Sequence, residues 1–241
     1  MAEDARSALV FGARNLGKAI VETLGGRGWS VAGVARSDGT LDGVEALGAL
    51  AIRGDVTDPR SVTAALEQAA ATHGPLDLVV NAASAFGGSR SGPFGGGPLA
   101  EAAPDAFDAW AAAPPRAAFS FLSATGRFLA DQGRPATIVQ VTGGSSRRAM
   151  PGRGLWAAGA FGVRALTNAA ALELREQGIQ VTLLIVDAGI QPLSGTRQGA
   201  DPAALADPHD IAQAVRFLAE QGPRAATHEL QVTPLAERWV P

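Results

Sequence analysis

The 241-residue chain contains no cysteine and no tyrosine, and Lys18 is the only lysine among its 20 basic residues. Without cysteine there are neither disulfides nor thiolate ligands, and His73, His209 and His228 stand too far apart to form a metal-binding spacing. No metal is expected. Charge is also scarce: 18% of the residues are charged and the net charge is −3, which sets up no broad positive field. Neither nucleic acid nor an anionic membrane surface is therefore an expected partner. No apolar run approaches the roughly 18 residues that a membrane span needs. The first 14 residues lack the basic flank and long apolar stretch of a secretory signal, so the expectation is a cytoplasmic protein.

With 46% hydrophobic residues, the chain has enough apolar material to bury one α/β core, and a single domain over residues 1–241 is expected. Short runs rich in β-branched residues, at 7–11, 29–35, 49–53, 77–81, 136–142, 179–186 and 229–233, read as strands. Between them, 16–24, 59–72, 104–130, 156–177 and 208–220 carry helical spacing, several opened by Pro or Asp. This alternation predicts a Rossmann-type, doubly wound α/β domain: a seven-stranded, mainly parallel sheet with helices on both faces. Pro114-Pro115 predicts a kink or break of the third helix near residues 111–115, because proline brings no N–H and clashes with the preceding turn. Residues 87–97, with six glycines, read as a surface loop or, coming after the fourth strand, as the rim of a site.

The first strand runs into Phe11-Gly12-Ala13-Arg14-Asn15-Leu16-Gly17, a turn whose glycines let backbone approach a phosphate at a helix N-terminus. The third strand is followed by Gly54-Asp55-Val56-Thr57-Asp58, and the fourth ends in Asn81-Ala82-Ala83-Ser84. These pieces, in this order and spacing, resemble the short-chain dehydrogenase/reductase family over about residues 7–233. The resemblance implies a nicotinamide dinucleotide held by Gly12, Arg14, Asn15, Leu16 and Gly17 in a phosphate loop that is one residue short, with Asn15 where the family's middle glycine stands. It further implies Asp55 and Val56 beside the adenine, Asn81, Ala82 and Ala83 along the ribose, Gly189 near the nicotinamide, and Gln191 contributing a backbone contact to the carboxamide. The second strand ends Val34-Ala35-Arg36-Ser37 with no acid for a free ribose 2′-hydroxyl. Arg36, helped by Arg14, matches a 2′-phosphate instead, which favours NADP(H) over NAD(H). The plainer reading of Arg36 is a solvated charge at a strand end.

The chemistry is harder to place. The resemblance puts the family's catalytic serine at Gly143, its tyrosine at Trp156, its lysine at Ala160 and its asparagine at Pro114. An indole N–H is only a donor and exchanges no proton near neutral pH, so packing is the plain role of Trp156. Ser145, Ser146 and Asp187 are the substitute groups nearby, each with a plainer role in a turn or at a strand end. Arg147, Arg148 and Arg153 are expected at the cleft rim, either as solvated charges or as a clamp for an anionic small-molecule substrate. The leading expectation is an NADP(H)-dependent oxidoreductase with a non-standard proton source. A non-catalytic cofactor-binding or partner-binding protein is the alternative, and a non-redox lyase or isomerase a weaker one. Family resemblance also implies a homodimer or homotetramer joined through the long Ala-rich helices.

Overall fold

The computed structural model describes residues 6–84, 92–196, 198, 199 and 201–237. In chain order the elements are β1 (Ser7–Phe11), α1 (Leu16–Gly25), β2 (Ser30–Ala35), α2 (Asp38–Glu45), β3 (Leu50–Arg53), α3 (Pro59–His73), β4 (Leu78–Asn81), α4 (Pro104–Phe107), α5 (Ala113–Gln132), β5 (Ala136–Gly143), α6 (Gly154–Glu173), β6 (Ile179–Val186), β7 (Gly189–Ile190), β8 (Leu205–Ala206), α7 (Pro208–Ala219) and β9 (Glu229–Val232). Seven strands form one sheet in the order β3-β2-β1-β4-β5-β6-β9, every pair parallel. This is the expected doubly wound sheet.

The inner strands are continuous apolar runs because both of their faces are covered. Along β1, Leu9 and Phe11 face one layer, where they meet Val62 and Leu66 of α3, Phe121 of α5 and Ala171 of α6. Ala8 and Val10 face the other, where Ile20 and Leu24 of α1 and Ile211 and Val215 of α7 pack. A period of two thus feeds two cores on opposite sides of one sheet. No helix among the described residues is long and apolar enough to cross a membrane.

One element departs from the sequence expectation and another carries the break it predicted. Helix α2 was not legible, since it has eight residues, two of them glycine, and buries only Val44, against Gly33 of β2. The expected helix over 104–130 is three pieces: α4, a π-helical turn at Asp108–Ala112, and α5, whose second and third residues are Pro114 and Pro115. The prolines interrupt the i→i+4 pattern and the wider turn absorbs the break, as expected from the sequence. Helix α6 crosses this turn at Gly159, where any Cβ would collide with the Trp110 carbonyl oxygen. Of the glycine-rich run, residues 87–91 lie outside the described residues. Its remainder carries a short 3-10 turn, Phe94–Gly96, that packs on the start of α6.

Candidate functional site

Strand order reverses between β1 and β4, and in such sheets ligands bind in the crevice beyond the strands' carboxyl ends at that point. Gly12 sits there with φ of +81°, and a Cβ on it would stand 2.5 Å from both the backbone N and the Cα of Ala83. Only glycine allows so close a passage of two backbones. A side chain on Gly17 would strike the Gly12 carbonyl, so both glycines are sterically required. The Gly12 and Ala13 N–H groups donate to the Val34 carbonyl at 3.0 and 3.1 Å, holding the loop to β2. Asn81 is buried and donates to Gln140 Oε1 at 3.0 Å, while its Oδ1 accepts from the Ala83 N–H at 3.1 Å. It therefore shapes the turn at Ala82 and Ala83. Leu16 and Val56 are buried in the two cores.

Asn15 caps nothing: it precedes α1 but makes no side-chain bond to that helix. Its Nδ2 donates to the Gln191 carbonyl at 3.0 Å, and its Oδ1 accepts from the Leu193 N–H at 2.9 Å. The phosphate loop is thereby tied to the segment after β7, whose Gly189 pairs with Leu205 in a two-stranded ladder.

At the end of β2, Arg36 is 73% exposed at its side chain and its Nη1 lies 3.5 Å from Asp55 Oδ2. Burial pushes the Asp55 carboxyl up, but hydrogen bonds from Thr57 and the Arg36 charge outweigh it and hold Asp55 below its ordinary value. Arg53 of β3, which sequence reasoning passed over, donates to the Arg36 carbonyl at 2.6 Å and pairs with Asp38. Asp38, the carboxylate closest to the end of β2 in sequence, is thus already engaged. Arg14 is exposed on the same loop as Gly12.

The four positions matched to proton transfer lie along β5, α5 and α6. Trp156 covers Gly143: a Cβ there would meet the indole Cζ2 at 3.5 Å, an ordinary contact. Phe94 sets its edge against Trp156, with ring centroids 4.5 Å apart, and against Trp110 at 5.0 Å. Phe94, half exposed, thus joins the two indoles in a favourable edge-to-face cluster, of which Trp156 lies beside Gly143 at the end of β5. Ala160 is buried, and Pro114 lies beside Gly159. Lys18 lies against α2, where a Cβ on Gly43 would be 3.5 Å from its Nζ.

The side chains expected near the cleft rim are engaged within the fold. Arg148 donates to Asp187 through two nitrogens, at 2.6 and 3.2 Å, and Gln231 adds a third hydrogen bond to the same carboxylate at 3.3 Å. Asp187 is 7% exposed and rests on Gly144, in the space a Cβ there would fill. Arg147 lies 3.6 Å from Glu229, which Arg164 grips at 2.6 and 2.9 Å. Burial raises the Glu229 carboxyl, while hydrogen bonds from Arg164 and Asn168 and the charges of Arg164 and Arg147 lower it further than burial lifts it. Arg153 lies over the Phe94 ring, 5.5 Å from its centroid. The three arginines thus turn to three different partners: Glu229 for Arg147, Asp187 for Arg148 and the Phe94 ring for Arg153. Ser145 and Ser146 are buried, and the Ser146 hydroxyl has no hydrogen-bond partner among the described residues.

Phe94 and Trp110 were missed from sequence. The usable signal was a lone aromatic inside a glycine run, which is placed to fold back on something.

The family model for short chain dehydrogenases matches residues 6–190. The chain belongs to the short-chain dehydrogenase family. It is 30% identical to L-xylulose reductase of Bos taurus over 201 residues, covering 82% of this chain and 77% of the bovine protein. Among solved structures, the alcohol dehydrogenase of the archaeon Thermococcus sibiricus, complexed with 5-hydroxy-NADP, is similar with a TM-score of 0.79 and 22% identity over 98% of this chain and 99% of that one. A metagenomic short-chain oxidoreductase in complex with NADP is similar with a TM-score of 0.73 and 25% identity, over 96% and 98% of the two chains.

Proposed function

We propose that this short-chain dehydrogenase relative binds NADP(H) in preference to NAD(H) and has given up the family's proton transfer, working as a cofactor-binding protein. The fit of the adenosine half rests on the Gly12–Gly17 cradle, the N–H groups at the start of α1 and the exposed guanidiniums of Arg14 and Arg36. Bound there, the cofactor would supply hydride chemistry, and Gly12 would leave room for its pyrophosphate while Arg36 would hold its 2′-phosphate. Similar proteins solved with NADP support that choice of ligand.

The observation that carries the non-catalytic reading is the Trp156 indole beside Gly143, with Phe94 edge-on to that indole. A phenyl ring and an indole neither give nor take a proton near neutral pH. Asp187, which rests on Gly144, is held by Arg148. The outer face of α5 and α6, a groove bordered by exposed Phe119 and by Leu122, Leu166 and Leu174, supports association with a second copy.

Purified protein that binds NADPH calorimetrically is expected to oxidise it no faster than buffer does, across a panel of ketones, enones and imines. Turnover of any of them would instead establish the second reading, a reductase drawing its proton from water or substrate. The intact adenosine cradle favours that alternative.

Arg36→Glu is expected to weaken NADPH binding by about tenfold or more, since a charge-assisted fork becomes a repulsion, while NADH changes little. NADPH binding as tight as the parent's would assign Arg36 to the surface alone.

A further inference from the structure

We propose that the Asn15 carboxamide closes the crevice to the nicotinamide half of a dinucleotide, so that the protein takes 2′-phosphorylated adenosine nucleotides by their adenosine half. This deepens the nucleotide-binding reading and rests on it.

Asn15 stands directly before Leu16, the first residue of α1, where helix N–H groups and dipole favour a pyrophosphate. An asparagine there ordinarily turns its oxygen back to cap the helix. Here both polar atoms reach the other way. The nitrogen donates to the Gln191 carbonyl and the oxygen accepts from the Leu193 N–H, two well-formed bonds joining segments 176 and 178 residues apart in sequence. A dinucleotide with its pyrophosphate at α1 must run from β1 past the ends of β4 and β5. The bridge from Asn15 to the segment after β7 spans the same strand ends.

The backbone that Asn15 occupies includes the carbonyl of Gln191, the residue expected to contact the nicotinamide carboxamide. Asn15 presents a primary carboxamide of its own, with the same donor and acceptor. It satisfies those groups internally, and the nicotinamide gains nothing by arriving unless the bridge opens. Trp156 lies beside Gly143 at the end of β5, with Phe94 edge-on to its indole. The adenosine side, at Arg14, Arg36 and Asp55, takes no part in the bridge.

The test compares 2′,5′-ADP with NADPH by calorimetry, in the parent and in Asn15→Gly, together with hydrogen exchange of the Leu193 amide in the unliganded proteins. Asn15→Ala serves as a second variant that removes the carboxamide without loosening the loop. In the parent the two ligands are expected to bind within about twofold of each other. In both variants the ratio of NADPH to 2′,5′-ADP affinity is expected to rise at least about tenfold, and the Leu193 amide to lose protection. A parent that binds NADPH tenfold more tightly than 2′,5′-ADP overturns the proposal. So does a variant whose NADPH affinity falls, which would make Asn15 a strut for the cofactor, or a Leu193 amide that exchanges alike in all three proteins. Absence of 2′,5′-ADP binding by the parent overturns the nucleotide reading itself, and this proposal with it.

Discussion

Replacing Gly12 with alanine is expected to abolish nucleotide binding and to lower stability by about 3 kcal/mol. Two terms add. The positive φ costs a non-glycine residue about 1 kcal/mol. The new Cβ then stands 2.5 Å from backbone atoms of Ala83 and 2.7 Å from the Ala82 carbonyl carbon, and backbone at the end of β4 cannot rotate away as a side chain can. Relief requires the loop to lift, which stretches the bonds from Gly12 and Ala13 to Val34. Gly48→Ala separates the terms: its φ is +72°, but nothing lies within 4 Å of its Cβ position, so it should lose only about 1 kcal/mol. Urea unfolding of both variants, with NADPH calorimetry on the first, decides the matter. If Gly12→Ala unfolds at the midpoint of Gly48→Ala and binds as the parent does, the crevice is looser than the packing of Gly12 on Ala83 requires.

The second large effect is expected at Arg148. Changing it to methionine strands Asp187 in a buried position with Gln231 as its one side-chain hydrogen-bond donor among the described residues, at a cost of about 3 kcal/mol. Most of that cost comes from the orphaned charge and not from the value of the pair, so adding Asp187→Asn should restore a large part of it. A double-mutant cycle by urea unfolding should show coupling of about 2 kcal/mol. The result bears on function as well as stability. Were Arg148→Met neutral, Asp187 would be a carboxyl the fold does not need, and the reductase reading would regain its acid.

The sheet was legible because its strands are buried on both faces and so appear as unbroken apolar runs; β6, eight residues of which seven are buried, needed no further clue. The kink at Pro114 and Pro115 followed from the missing N–H groups, and the winding of that kink into a π turn did not, since i→i+5 bonding leaves no mark in composition. Helix α2 fell below notice for want of an apolar stripe. In the site, Gly12, Gly17 and Arg36 could be named from their places at the ends of β1 and β2. For Arg147 and Arg148 the sequence left open solvated charges or a shared anionic ligand, because their ion-pair partners Glu229 and Asp187 are 82 and 39 residues away and arrive only when β6 and β9 join the sheet.

Residue order alone determined where backbone must be small, where strands run and which charges stand at strand ends, because these depend on each residue's own size, conformational range and charge. It also set what chemistry is unavailable, since a chain without tyrosine has no phenolic proton to move. Tertiary structure decided which polar groups are already engaged. Whether Asn15 caps its own helix or bridges to Gln191, and whether Asp187 is an acid or half of an ion pair, depends on partners brought within 3 Å from distant parts of the chain. Hydrogen bonds and ion pairs act over a few ångströms and carry no sequence period, so only the packed sheet reveals them.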